Sequence, residues 1–199
     1  MKSALKMSAK DDVQTCEEIA RLTEDEVHAL TKEAFFWGMH PSAVYEIRYV
    51  FTQLKGGRNY VGDGHMHWDR RPRSAADKSV TTPNATTLYG FGFFDLRREA
   101  VIVATPAVPD RYFSVQACDQ YPRWFMTVGN QFTGRQAQQF LIVGPDFQGP
   151  YPRGFAAAQM YSSPSNCVLV AGRFALKSNE RDEIAAVNRL MDAWWKSPN

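Results

Sequence analysis

Three stretches of this chain bring together side chains that can do chemistry. In His65-Met66-His67-Trp68-Asp69 two imidazoles and a carboxylate recur at every second residue. On a strand all three would point to one side, and that set suits a transition metal. Its flanks, rich in glycine and asparagine, read as loop, so the alternative is a merely hydrogen-bonded histidine pair, and no metal is assigned. In Arg111-Tyr112-Phe113-Ser114-Val115-Gln116-Ala117-Cys118-Asp119 the alternation puts Phe113, Val115 and Ala117 on a core face and Tyr112, Ser114 and Gln116 on a polar one. Arg111 and Asp119 stand at its two ends. An Arg with a Tyr, a Gln and an Asp can hold a small anionic or hydroxylated ligand through guanidinium hydrogen bonds. Equally, Arg111 can pair with an acid and Tyr112 can bond a turn. In Pro83-Asn84-Ala85-Thr86-Thr87 the small polar side chains either satisfy backbone groups at the entry to a strand or form a pocket rim. Gly-x-Ser-x-Gly, P-loop, Gly-x-Gly-x-x-Gly-to-helix and Cys-x-x-Cys motifs are all missing, so no familiar nucleophile or cofactor is expected.

The elements that must position these residues change character along the chain. The first 22 residues begin polar and are expected to fray. Thr23 with Glu26 forms a Thr-x-x-Glu capping box. Val27, Leu30 and Ala34 then recur at helical spacing. Gly38 is placed to end that helix and Pro41 to open a second, which continues through Val44, Ile47, Val50 or Phe51, and Leu54 until Gly56-Gly57. After Val80 come six short runs rich in β-branched and aromatic residues: TLYGFGFFDL, AVIVATP, RYFSVQACD, RWFMTVG, QFLIVGP and NCVLVAGRF. They are punctuated by Gly, Pro and Asp with no helical pattern between, which predicts an antiparallel sheet or sandwich. Gly90 and Gly92 leave one face of the first run as bare backbone, open to a neighbour, a bulge or a ligand. From Ser178 the period is helical again, with Ile184, Val187, Met191 and Trp194 on one stripe. The expectation is one α+β domain over residues 1–199: an N-terminal helix pair, an antiparallel sheet or sandwich core, and a C-terminal helix.

Composition narrows the function classes. Charged residues make up 22% and the formal net charge is +2, too small to call for nucleic acid or a membrane surface. The run Asp69 to Lys78 is the nearest thing to a basic patch. It reads as a solvated loop or an anion contact. Aromatics reach 13%, which favours a strand-rich interior or an aromatic-lined pocket. The three cysteines, Cys16, Cys118 and Cys167, are odd in number and widely spaced, so neither a disulfide framework nor a zinc site is indicated; one disulfide stays open. No segment approaches the ~20 apolar residues of a membrane span. The sequence as written reads as soluble and cytoplasmic, or as periplasmic or secreted if a signal peptide has been removed.

Taken together, TPNATTLYGFGFFDL, RYFSVQACDQY, FTGRQAQQFLIVGPDFQG and SSPSNCVLVAGR resemble the bacterial domain of unknown function 1254 family. Its Pro-Asn-x-Asp-Thr-Leu-Tyr motif is met by Pro83, Asn84, Thr87, Leu88 and Tyr89, its Arg-Tyr by Arg111 and Tyr112, and its Thr-Gly by Thr133 and Gly134. Gly144 with Pro145, Ser163 with Pro164, and Gly172 with Arg173 fit the later motifs, and His67 the histidine ahead of the first. The resemblance spans about residues 30–190. It implies sheet structure with flanking helices and brings no agreed reaction. Thr86 stands where the family has Asp, which sets activity in doubt. Many members are exported or lipid-anchored, and members often carry a C-terminal domain of unknown function 1214, which has no counterpart before Asn199. Its role would fall to a partner chain or go unfilled.

Two functions follow. One is a polar pocket for a small anionic or hydroxylated ligand, hydrolase-like if it is an enzyme at all, built from Asn84, Thr87, Tyr89, Arg111, Tyr112, Asp119 and Arg173. The other is an assembly protein, a homo-oligomer or one half of a heteromeric pair, using aromatic surface at FGFF, Trp124-Phe125 and Trp194-Trp195.

Overall fold

The computed structural model describes residues 21–78, 83–150 and 152–194. Its elements are α1 (Glu24–Thr52), β1 (Met66–Trp68), β2 (Thr87–Asp95), β3 (Val101–Thr105), β4 (Phe113–Cys118), β5 (Trp124–Gly129), β6 (Gln138–Val143), a 3-10 turn (Ala157–Gln159), β7 (Met160–Ser162), β8 (Cys167–Ala175) and α2 (Arg181–Trp194). The chain forms two compact units, 1–39 and 40–199.

The described part of the first unit is the opening stretch of α1. Its capping box is closed in both directions: the Thr23 amide donates to Glu26 Oε2 at 2.8 Å and the Glu26 amide donates to Thr23 Oγ1 at 3.3 Å. The Thr23 amide and, at 2.7 Å, the Thr23 hydroxyl both donate to the Glu26 carboxyl and hold it below its ordinary range. The predicted stripe, however, is not buried: Val27 and Leu30 are exposed, as are Phe35, Phe36, Trp37 and Met39.

The expected helix pair is one helix. It runs for 29 residues through both Gly38 and Pro41. Proline removes a single N–H and glycine only weakens helix propensity. Neither cost outweighs a long run of intact backbone bonds, and Gly38 does not take the left-handed conformation that ends a helix. The helix ends at Thr52, and the turn that follows contains Gly56, which does take it, at φ 85°.

In the second unit β1-β2-β8-β4-β5 form a five-stranded antiparallel sheet, and β3-β6-β7 a three-stranded one. The six runs read from the sequence are strands. Two three-residue strands, β1 and β7, escape the pattern because they are too short to show a period, and β7 pairs with β6 in parallel. The main core combines Leu88, Phe94, Val101, Val103, Phe113, Val115, Val128, Phe140 and Ile142 with Val187, Met191 and Trp194 from α2. That cluster identifies the inner face of the large sheet.

Gly90 has its counterpart in Gly172 on β8, whereas a Cβ on Gly92 would meet the His65 carbonyl and Met66 Sδ at 2.6 Å. A Cβ on Gly90 would lie 2.2 Å from the Trp68 ring, and one on Gly172 would lie 2.2 Å from Trp194. The bare backbone makes room for the two indoles, whose centroids are 4.6 Å apart. Trp194 is therefore 1% exposed and is no oligomer contact, and Phe93 and Phe94 are likewise buried. Trp195 lies outside the described residues. On the outer face, Val44 and Phe51 from residues 40–52 of α1 pack against Phe93, Phe91 and Leu169.

Candidate functional site

The outer face of the large sheet is built by strand register. Tyr89 on β2 sits across from Arg173 on β8, and Arg173 across from Ser114 on β4. One pair along, Phe91 faces Ala171, which faces Gln116. Alternation puts all of these on the side away from the main core. Arg173 is half-buried. Its guanidinium lies 5.4 Å from the Tyr89 ring centroid and 6.0 Å from that of Trp124, and it donates from Nη1 to Gln116 Oε1. Tyr89 in turn stacks on Phe91 at 5.8 Å. Contact with two ring faces fixes the position of such a cation.

The Asn84 amide Nδ2 donates to the Tyr89 hydroxyl at 3.4 Å. Its Oδ1 accepts from the Thr86 amide at 2.8 Å and from Thr86 Oγ1 at 3.1 Å. This is an Asx turn that leads into β2. Thr87 opens β2 opposite Ala175. The Tyr112 hydroxyl donates to Ser114 Oγ at 2.9 Å, so it belongs to the same outer face.

Arg111 does not. Its side chain is 6% exposed and is paired with Glu183 of α2 and, at 3.3 Å, with Asp110. It also donates to the Ala175 carbonyl at 3.4 Å. Though burial works against the charge, the bonds from Glu183 and Asp110 more than offset it and raise the Arg111 pKa. Glu183 is held below the ordinary carboxylate range, by the Lys177 amide first and by Arg111. Asp110 is lowered to about 2 by Lys177 and Arg111. One residue of alternation separates Arg111 from Tyr112 and sends it to the inner, helix side.

Asp119 is fully buried and is satisfied within its own turn, accepting from the Tyr121 amide at 2.8 Å, the Arg123 amide at 3.0 Å and Arg123 Nε at 2.8 Å. Of the seven ligand-site residues expected from the sequence, Asn84, Tyr89 and Arg173 come together, Thr87 and Tyr112 flank them, and Arg111 and Asp119 are engaged elsewhere. Trp124 and Phe91 border this group without being among the seven residues expected from the sequence. Trp124 opens a strand and so shows no alternation of its own. Gln116, the glutamine that the polar face of β4 offers to a ligand, joins this group through Arg173.

The histidine stretch disperses. His65 is exposed, with Nδ1 2.9 Å from the Asp63 carbonyl. His67 Nε2 lies 3.5 Å from Asp69 Oδ1, and Arg73 Nε donates to Asp69 Oδ2 at 2.7 Å. Burial raises the Asp69 pKa, but the bonds from His67 and Arg73 outweigh it and the net shift is downward. Among the described residues no three His, Cys, Asp or Glu side chains gather as a metal would need. The basic run lines a cavity of about 620 Å³ with Arg58, Arg70, Arg71, Arg73 and Lys78. Arg70 there is paired with Asp192 at 2.7 Å and Arg73 with Asp69 and Asp77. Cys118 and Cys167 are free thiols, and burial pushes Cys118 up to about 11.

A family model described as protein of unknown function, DUF1254, matches residues 64–197. The chain belongs to the DUF1254 family. The whole of α1 precedes the matched region, whereas both sheets and α2 lie inside it. The VPA0106 protein from Vibrio parahaemolyticus, a solved structure, is similar over 83% of this chain at 23% identity and a TM-score of 0.64. That similarity carries the fold. The DUF1254 chain described here spans only 37% of the length of that protein. No curated protein matches.

Within the DUF1254 motifs, most residues do structural work. Thr133 Oγ1 accepts from the Gly129 amide at 3.2 Å, Gly134 holds a φ of 92°, and Ser163 Oγ donates to the Ser165 carbonyl at 2.7 Å. Asn84, Tyr89 and Arg173 are motif residues that converge on an outward-facing surface.

Proposed function

We propose that this DUF1254 domain binds a small anionic ligand on the outer face of its large sheet, with Arg173 as the binding cation. Tyr89 and Trp124 would flank the ligand's charged group, and Asn84, Thr87, Tyr112 and Gln116 supply hydrogen bonds around it. The observation that carries this reading is the state of Arg173. It is half-buried between two aromatic rings, yet none of the ion pairs formed among the described residues includes it. A guanidinium withdrawn partly from water without a carboxylate gains most from an anion. The reading is of binding and assigns no reaction. Asp119 is spent in its turn, and the Cys118 thiol stays protonated at neutral pH.

Calorimetric titration with succinate and with inorganic phosphate tests it. A charge-assisted bond is worth ~1.5 kcal/mol or more, so Arg173→Gln should weaken binding at least about tenfold with an unchanged circular dichroism spectrum. Equal binding by both proteins, or none by the wild type, contradicts the reading.

A second reading is self-association, favoured by α1. Phe35, Phe36 and Trp37 in the first unit, and Tyr45, Ile47 and Tyr49 in the second, are all exposed. A helix with large apolar residues on several sides normally has them covered.

A further inference from the structure

The outer face is not uniform along its strands. At the Arg173 end it is polar and aromatic. At the other end the second half of α1 covers it incompletely, leaving a cavity of about 350 Å³. The apolar walls are Ile47, Val50, Phe51, Phe91 and Leu169, and Glu46, Asn59 and Arg73 also line it. That volume is within the range of small-molecule sites, and apolar walls with a few polar groups are typical of them. The cavity and Arg173 are continuous through side chains. Phe91 lines the cavity and stacks on Tyr89, and the Arg173 guanidinium lies over the Tyr89 ring. Leu169 and Arg173 are both on β8 and both on the outer face. They are four residues apart, roughly 13 Å at about 3.3 Å per residue.

Resting on the assignment of Arg173 as the anion site, we infer that the ligand is an amphipathic anion: a carboxylate at Arg173 with an unbranched apolar tail that runs past Phe91 into the cavity beneath α1. A purely polar anion would leave Phe91 and Leu169 half-exposed to water. An apolar body without charge would leave Arg173 unpaired. Only a ligand with both parts, separated by about the length of the strip, satisfies both ends.

A chain-length series separates this inference from the one beneath it. Acetate, hexanoate, decanoate and decanol are titrated below their aggregation limits into wild type, Arg173→Gln and Ile47→Asp. Ile47 is exposed at the cavity wall, so its substitution places a charge beside the tail without disturbing the core. Affinity should rise from acetate to decanoate by roughly three- to fourfold per methylene that is buried. Decanol should bind more weakly than decanoate, Ile47→Asp should abolish the gain from chain length, and Arg173→Gln should bring decanoate down to the level of decanol. If all carboxylates bind equally, or if Ile47→Asp leaves decanoate binding unchanged, the tail site is wrong and the anion site stands. If decanoate and decanol bind equally, the anion site is wrong. If nothing in the series binds, the amphipathic ligand is excluded, while succinate and phosphate still decide on Arg173.

Discussion

At the scale of single residues, two arginines that look alike in the sequence have opposite circumstances. Arg111 has Glu183, Asp110 and a carbonyl around it; Arg173 has, among the described residues, a neutral amide and two rings. The first is a structural tie between the entry to β4 and the start of α2. Arg111→Ala leaves Glu183 without its cation, and the expected cost is about 2 to 3 kcal/mol in urea unfolding, somewhat below a fully buried pair because Glu183 is partly solvated. The carboxylates give the pH dependence. Asp110 falls from 3.8 to about 2 on folding, and Glu183 from 4.5 in the same direction. A carboxyl whose folded pKa is depressed stabilises the fold above its unfolded value and loses that contribution as pH falls through the folded one. The melting temperature should therefore drop between about pH 5 and pH 2, and drop less steeply in Arg111→Ala. An equal slope in the two proteins would remove Arg111 from that role. The sequence could not distinguish the two arginines. Alternation predicts which face of β4 a side chain takes, and it sorted Phe113, Val115 and Tyr112 correctly, but Arg111 lies just outside the strand, where its acid partner 72 residues away is invisible.

At the scale of elements, strands with a clear period were legible and short or interrupted elements were not. The six long strand runs and α2 follow from pattern, because a half-buried element must alternate or repeat. β1 carries too few residues to alternate, and the continuity of α1 through Gly38 and Pro41 runs against local propensity. The meaning of Gly90 and Gly172 needed the tryptophans. Trp68 and Trp194 occupy the space that side chains would fill, so Gly172→Ala should destabilise the protein by roughly 1–3 kcal/mol through overpacking. Combining it with Trp194→Leu should cost less than the sum of the two changes, since each relieves part of the other's strain. Additive losses, measured by denaturant titration, would show that the indole does not rest on that glycine.

At the scale of the whole molecule, the DUF1254 region presents an outer sheet face with two ends of different chemistry, and the long helix that precedes it has large apolar side chains exposed. If α1 is an association surface, Phe36→Glu with Trp37→Glu should shift a concentration-dependent oligomer to monomer in size-exclusion chromatography with light scattering. A wild-type protein that is monomeric at every concentration contradicts self-association. None of the described helices is long and apolar enough to cross a membrane. The most direct measurement is ligand-induced thermal stabilisation in three proteins side by side: wild type, Arg111→Ala and Arg173→Gln, each with and without decanoate. Arg111→Ala should melt lower but keep the ligand shift, whereas Arg173→Gln should melt near the wild type and lose it. A shift that vanishes in Arg111→Ala and persists in Arg173→Gln would reverse the two assignments and contradict an anion site on the outer face.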